Sequence, residues 1–305
     1  MPPANITTNP YSQAPALAQA LALPASAYVG QRIAKTLLIE QISNLPGTTA
    51  ADKRLVNHLL AELHWLAALK PATCGLAAWQ TDTHDYLEIA VLHAVLFAAP
   101  PPSAAKPNRL IRLIELIHRT IPYPVVLIVS QPGAHDGAQG STEQLSLAHK
   151  RLSAGNSSAM VLEQTITTQP LTTQLLTTKL PTAKSIAACA HKTGSTGQFV
   201  HYLGFNQAAN APLGPLHDLY ARYSDWLYAV EALAAAEHTG QFTVSCNAPD
   251  AARRRNALAA YDQLGQQLTS LRVQARKESQ LGQRAALNIQ IAKLMAERHA
   301  ILSRL

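Results

Sequence analysis

Apolar residues recur with two different periods and predict a body that alternates strands and helices. Apolar side chains fill both alternating faces of residues 85–97, and residues 125–129 are apolar without interruption. A strand that is apolar on both faces lies inside a sheet that is covered on each side. Residues 108–119 place apolar and charged side chains on opposite faces of a helix. The pattern predicts an α/β fold in which this helix links two neighbouring strands.

Further elements are predicted on either side of this pair. Thr49 is a suitable N-cap for a helix that reaches about residue 70, with leucines at positions 55, 59, 63 and 66. Residues 145–152 and 159–168 are predicted strands, and residues 216–238 a helix that Gly240 ends. We interpret residues 1–24 as a mobile lead-in and the Thr-rich residues 165–184 as a loop insertion. The body, a mixed sheet with flanking helices, is expected to span residues 25–245.

The chain ends in a segment, residues 251–305, that is predicted to be helical throughout. Leu264, Leu268 and Leu271 recur at a spacing of three to four residues. Fifty helical residues would reach roughly 75 Å, which is further than one compact body of this size extends. We expect a long C-terminal coiled-coil-like arm or a helical hairpin, packed on a second helix or on another chain. The predicted partner-binding residues are Leu287, Ile291, Leu294 and Ile301.

The net charge of +7 lies in this arm, because residues 251–305 hold ten basic and three acidic residues while the remainder balances. Phosphate contacts need such point charges along one element. The alternative is a solvated face of a coiled coil. No aromatic residues are interleaved for base stacking, which argues against sequence-specific reading of single strands. The candidate nucleic-acid-binding residues are Arg253, Arg254, Arg255, Arg272, Arg276, Lys277 and Arg284.

Composition excludes several classes of protein. The chain is 48% hydrophobic and 14% charged, as expected of a folded soluble protein. Its three cysteines are far apart and form no Cys-x-x-Cys pair, so neither a zinc site nor a disulfide framework is expected. The longest apolar run is about half of a membrane span, and no signal peptide is recognisable. We expect a cytoplasmic protein without a cofactor and without a membrane contact.

One group of residues suggests an enzyme. Asp85 and Glu88 at the start of an apolar strand resemble the carboxylates that hold Mg²⁺ in nucleases, and Lys150 could activate water. The nuclease pattern Glu-x-Lys is missing, since Glu88 is followed by Ile89 and Ala90. The structural alternative is that Glu88 pairs with a basic residue. His93, in the same strand, is interpreted as a hydrogen-bonded core histidine.

Residues 149–151, the basic sequence His-Lys-Arg, end a predicted strand. They are open to two interpretations, a phosphate contact or a solvated strand end.

Five motifs occur in a fixed order along the chain. They are His64-Trp65 with residues 69–73 behind it, Glu88-Ile89, residues 121–124, residues 147–151, and residues 277–281 with Arg284, Leu287 and Asn288. In this order they resemble the prokaryotic family known as domain of unknown function 4391, over residues 23–302. The Thr-rich insertion, the Ala/Thr-rich lead-in and Gly282 depart from the family pattern. The resemblance implies no catalytic residues, and it implies genes that stand beside helicases and DNA methyltransferases in phage-defence or restriction-like loci.

The residues and the resemblance together predict an accessory, non-enzymatic subunit of a prokaryotic DNA-targeting system. The body would dock a helicase or a DNA methyltransferase, and the arm would mediate assembly or contact DNA. Two alternatives remain open. One is a divergent metal-dependent nuclease that uses Asp85, Glu88 and Lys150, and the other is a homo-oligomeric structural scaffold.

Overall fold

Two strands that are buried on both faces run side by side through the centre of the molecule. The computed structural model describes residues 14–98, 107–133, 140–153, 156–177, 191–205 and 217–305. Within these residues the strands are β1 (Tyr28–Ile33), β2 (Leu60–Leu69), β3 (Trp79–Gln80), β4 (Asp85–Tyr86), β5 (Ile89–Leu96), β6 (Val125–Gln131), β7 (Thr142–Ala148), β8 (Lys150–Ser153), β9 (Asn156–Leu162), β10 (Ile166–Thr167) and β11 (Leu171–Thr172). The helices are α1 (Ala16–Leu21), α2 (Lys35–Asn44), α3 (Ala50–Leu59), α4 (Pro71–Cys74), α5 (Pro107–Thr120), α6 (Thr173–Thr177), α7 (His191–Leu203), α8 (Leu219–Thr239), α9 (Ala248–Lys277) and α10 (Leu281–Ile301).

A mixed sheet of seven strands organises the described part of the body. Its order is β1-β2-β5-β6-β7-β10, and β11 also pairs with β7. Strands β5 and β6 are parallel, and the other pairs are antiparallel. Helix α5 lies between β5 and β6 in the sequence, as a crossover between parallel strands requires. The predicted α/β fold and the predicted neighbouring strands are confirmed.

Each face of this sheet carries its own hydrophobic core. On one face, Val91 and Ile128 pack with residues of α1, α7 and α8, among them Trp226. On the other face, Leu92 and Leu127 pack with residues of α2, α3 and α5. Alternate residues of β5 and β6 therefore enter different cores, which explains why both strands are apolar throughout.

The predicted helix over residues 49–70 is wrong beyond Leu59. Helix α3 begins after the N-cap Thr49, whose backbone N–H donates to Asp52 Oδ2 at 2.9 Å. At Leu60 the chain enters β2, which pairs with both β1 and β5. The leucine spacing fits a helix as well, but pairing on two sides decides the structure, since β-structure depends on the neighbouring strands.

Two segments whose sequence pattern predicts no regular structure contribute to the core. Residues 14–24 are not a mobile lead-in, because they include α1, in which Leu17 and Leu21 are fully buried. The Thr-rich segment is not simply a loop. It contributes β10, β11 and α6, and Leu171 and Leu176 are buried. Residues 1–13 and 178–184 of these predictions lie outside the described residues.

The predicted strand over residues 85–97 is divided. Asp85 and Tyr86 form β4, which pairs with β3, and the main strand β5 begins at Ile89. Leu87 between them is exposed, so the apolar pattern extends further than the strand. Residues 25–48, for which the sequence analysis predicts no element, form β1 and α2.

Helix α8 confirms the predicted helix before Gly240, which ends it with a φ of 76°. It is fixed to the sheet by Tyr223, which is fully buried. The Tyr223 hydroxyl accepts from the Ala148 backbone N–H at 2.9 Å and donates to the Val125 carbonyl at 2.8 Å. One hydroxyl thus ties α8 to the ends of β6 and β7.

Replacing Tyr223 by Phe removes only this hydroxyl. We expect the free energy of unfolding to fall by about 1–3 kcal/mol, because a buried N–H is left without a partner. Tyr123→Phe is the control, since Tyr123 lies at the surface. Urea unfolding of both variants measures the difference, and equal stabilities of the two would contradict this role of Tyr223.

Candidate functional site

The C-terminal arm is a hairpin of two antiparallel helices. Helices α9 and α10 are joined by residues 278–280. Three contacts fix their alignment. Arg254 Nε donates to the Leu305 carbonyl at 3.1 Å, the Arg298 guanidinium lies 3.9 Å from the centre of the Tyr261 ring, and Arg272 contacts Met295 Sδ at 3.6 Å. The helix that packs on α9 is therefore α10 of the same chain. Of the two expected arrangements, packing on a second helix or on another chain, the structure has the first.

The predicted partner-binding residues lie on the seam of this hairpin. They are half-buried positions on a helix that is otherwise mostly exposed, and they face α9, where Leu268 and Ala275 are buried. Their packing holds the two helices together, so a partner would reach them only if the hairpin opened. The four residues are Leu287, Ile291, Leu294 and Ile301.

The base of α9 belongs to the body. Ala251 is fully buried in the core that it shares with α8. Arg255 Nε donates to Glu231 Oε1 at 2.6 Å, and Arg254 donates to Ser245 Oγ at 2.9 Å. Burial raises the pKa of Glu231, whose Oε2 has no partner among the described residues. A domain boundary at residue 251 would thus pass through the core. Arg254 and Arg255 attach the arm to the body and do not project from it.

The distal half of the hairpin, residues 263–296, has a surplus of positive charge. It contains five basic residues and one acidic residue, Glu278. The five are exposed, and within the described residues no salt bridge includes any of them. They are Arg272, Arg276, Lys277, Arg284 and Lys293. Arg253, nearer the body, is also exposed but pairs with Asp250.

Three of these cations lie on one side of the hairpin. At 100° per residue, Arg272 and Arg276 flank the seam of α9 on one side, and Arg284 flanks the seam of α10 on the same side. A groove on this side is lined by Arg272, Met295, Arg298 and His299, among others. We call the surface formed by Arg272, Arg276 and Arg284 the arginine face.

The opposite side of the hairpin is rich in glutamine. A groove there is lined by Gln274, Gln283 and Gln290, together with Lys277 and Glu278, whose charges are opposite. Gln267 projects to this side because it lies seven residues, or two turns, before Gln274. We call this surface the glutamine face. The two faces differ in charge while they share the same pair of helices.

The candidate nuclease residues do not form a shared metal site. Glu88 is buried, and its Oε2 lies 3.1 Å from Lys70 Nζ. Lys150 is also buried and donates to the carbonyls of Ile121 and Tyr123. Asp85 Oδ1 is buried without a partner, and no group of three His, Cys, Asp or Glu in the described residues could hold a metal ion. Glu88 thus pairs with a basic residue, Lys70, which is the structural alternative to a metal ligand.

Neither interpretation of residues 149–151 fits the structure, since two of the three are not at the surface. His149 is buried, and its Nδ1 bonds the Tyr86 hydroxyl. Burial lowers the pKa of Lys150 to about 7. Arg151 alone is exposed. The two buried side chains stabilise the body. The three residues therefore do not form a joint binding site for phosphate.

One face of the sheet carries a group of polar side chains that the sequence pattern does not predict. We call it the polar row, and it consists of Arg32, Glu62, His64, His93 and Ser130. His93 is hydrogen-bonded as predicted, to Ser130. A strand prediction for β2 would have placed Glu62 and His64 on one face by their spacing of two. The helix prediction for these residues concealed that signal.

The fold and its surfaces define a mixed α/β body that carries a cationic helical hairpin. The chain belongs to the family described as domain of unknown function (DUF4391), whose sequence model matches residues 21–297. Comparison with curated proteins and with solved structures gives no match. Among the described residues, no helix is long and apolar enough to cross a membrane.

The contact between Arg255 and Glu231 predicts unequal roles for neighbouring arginines. Arg255→Ala leaves the Glu231 carboxylate buried without its partner and should lower the free energy of unfolding by about 3 kcal/mol at pH 7. Burial raises the pKa of Glu231, so the loss should shrink at pH 4, where this carboxyl is protonated. Arg253→Ala is the control, because Arg253 is 77% exposed and such pairs contribute little. Equal effects at pH 7 would contradict the assignment.

Proposed function

We propose that this protein is an accessory subunit of a prokaryotic DNA-targeting system of the phage-defence or restriction-like kind. Its hairpin contacts the backbone of duplex DNA through the arginine face, and the protein docks a helicase or a DNA methyltransferase. The observation that carries the DNA contact is the group of guanidinium groups on that face, none of which has a carboxylate partner among the described residues. The wider role rests on the family resemblance alone.

The charge distribution supports a contact with phosphate. A protein binds duplex DNA by neutralising phosphates with Lys and Arg, which releases condensed counterions. Elsewhere in the chain, arginines such as Arg112, Arg222 and Arg255 pair with carboxylates. Those of the arginine face have no such partner among the described residues, and all three lie together on one side of the hairpin, so their charges remain available for an anionic partner.

The geometry of the hairpin suits a duplex. Arg272 and Arg276 are separated by four residues, about 6 Å along α9, and the 30 residues of α9 span about 45 Å. One duplex strand carries a phosphate every 3.4 Å along the helix axis, so the spacing of the two arginines corresponds to about two nucleotide steps. The only Phe, Trp or Tyr in residues 248–305 is Tyr261, whose ring lies beneath Arg298. Base stacking therefore plays no part, and binding should be independent of sequence.

A specific observation supports protein docking on the hairpin as well. Ile289 is 71% exposed on the side of α10 away from the seam. Four alanines share that side, and Leu281 near the turn is 83% exposed. They leave an apolar strip on a solvated helix, as interaction surfaces do. The alanines are Ala285, Ala292, Ala296 and Ala300.

We expect the triple variant Arg272→Gln, Arg276→Gln and Arg284→Gln to lose affinity for duplex DNA. If each arginine neutralises one phosphate, the slope of log affinity against log salt should become shallower by about 0.9 per arginine. Fluorescence anisotropy with a labelled duplex at several salt concentrations measures this slope.

The matched control removes three exposed arginines from the body, Arg54, Arg109 and Arg151, each replaced by Gln. It changes the net charge by the same amount and should bind like the wild type. Equal losses in the two triple variants would show that net charge alone drives binding. A wild type that does not bind duplex DNA would refute the DNA contact.

If a partner docks on the apolar strip, a variant of the strip should lose the partner and keep its affinity for DNA. Ile289→Asp should prevent co-purification of the helicase or methyltransferase from the native host and leave DNA affinity unchanged, because a charge placed in an apolar interface must be desolvated. Gln290→Asp, which puts the same charge on the glutamine face one residue away, is the control. Retention of the partner by the Ile289 variant would contradict docking at this strip.

A further inference from the structure

The polar row lies on one face of the sheet, with His93 in the middle of β5 and Ser130 near the carboxyl end of the parallel strand β6. Arg32, His64 and His93 stand opposite one another on β1, β2 and β5, and opposite residues of neighbouring strands share a face. Ser130 is the penultimate residue of β6. In open α/β sheets, ligands bind beyond the carboxyl ends of parallel strands, where the loops diverge.

A hydrogen-bonded pair and a linked group of three side chains make up this row. Ser130 Oγ lies 2.8 Å from His93 Nε2. On the next strand, His64 Nε2 donates to Glu62 Oε2 at 2.9 Å, and Glu62 Oε1 lies 3.2 Å from Arg32. The two imidazole rings are 6.2 Å apart between their centres. Glu62 and Arg32 therefore fix one imidazole beside the Ser130–His93 pair.

The row is open at one side. The Arg32 side chain is 65% exposed, and those of Glu62 and His64 are also partly accessible, whereas His93 lies deeper. Burial lowers the pKa of His93 to about 4, with a smaller contribution from His64, so the imidazole is neutral at pH 7. A serine within hydrogen-bonding distance of a neutral imidazole is the arrangement that activates a nucleophile.

We propose that Ser130 and His93 form a metal-independent nucleophilic site for a carboxylic ester, independent of the role of the hairpin. Ser130 Oγ attacks the carbonyl carbon while its proton passes to His93 Nε2. The bond from the carbonyl carbon to the alcohol oxygen then breaks, and His93 returns the proton to the departing alkoxide. Water releases the acyl group, its proton passing through His93 to Ser130 Oγ. His64, held by Glu62 and Arg32, forms the wall beside the ester.

The charge of the row favours an ester over a phosphate substrate. Phosphoryl transfer needs metal ions or several cations around the transferred group. In this row the cation is Arg32, and its charge is already compensated by Glu62. Hydrogen bonding to His64, together with the Arg32 charge, lowers the pKa of Glu62, which keeps this carboxylate ionised and would repel an anionic phosphate.

The chain contains two internal controls for this proposal. Ser146 Oγ lies 3.0 Å from His118 Nε2, but both side chains are fully buried. Ser141 is exposed and bonds Thr173 rather than a histidine. Ser130 is half-buried and bonds His93. If activation by histidine and accessibility are both required, only Ser130 of these three serines reacts.

The test is covalent labelling of the full-length protein with a fluorophosphonate probe, which loses fluoride when serine attacks its phosphorus. Peptide mass spectrometry should locate the adduct on Ser130 and not on Ser141 or Ser146. Ser130→Ala should abolish the adduct, His93→Gln should slow labelling about a hundredfold, and Ser141→Ala should leave it unchanged. Thermal unfolding of each variant establishes that it is folded.

Hydrolysis of 4-nitrophenyl butyrate by the same proteins supplies the second readout and should follow the labelling. No adduct on Ser130, under conditions in which a serine protease is fully labelled, would overturn the proposal. Labelling of Ser130 that is as fast in folded His93→Gln as in the wild type would overturn it equally.

Discussion

The structure depends on one constraint, that strands β5 and β6 are apolar on both faces and must be covered on both. Parallel strands cannot be joined by a tight turn, so the chain crosses over through α5, which covers one face. The other face is covered by α8 together with α1 and α7. Because α8 is almost wholly buried, it brings Glu231 inside the protein, and this carboxylate is paired by Arg255 from α9. The direction of the hairpin is thus set by the way in which the central strands are covered.

The parts of the fold that could be predicted are those whose own periodicity is unambiguous. The central strands, α5, α8 and the helical C-terminus meet this condition. Strand β2 does not, because its leucines also fit helical spacing and its state is decided by pairing with β1 and β5. Helix α1 is short, and its burial depends on distant residues such as Glu143, which accepts from the Ala16 and Leu17 N–H groups. Such long-range contacts leave no local pattern in the sequence.

The candidate sites show the same limit. The basic composition of the arm is visible in the sequence, but which arginines are free is decided by partners elsewhere in the chain. Arg255 meets Glu231 from α8, whereas Arg276 meets no carboxylate among the described residues. Glu88 and Lys150 look like catalytic groups in sequence, and each is instead held by a structural partner, Lys70 or backbone carbonyls. The buried charged groups of the body thus stabilise the fold, and sequence alone does not separate them from exposed ones.

The central claim is that one side of the hairpin, and not its overall charge, meets the DNA. Site-specific photo-crosslinking tests it most directly, with the photoreactive residue placed at Thr269 or at Gln267. Both positions are exposed on α9 and neither carries a charge, but the first flanks the arginine face and the second the glutamine face. The account predicts an adduct with a labelled duplex from position 269 and little from position 267. Equal yields from the two positions, or a larger yield from position 267, would contradict it.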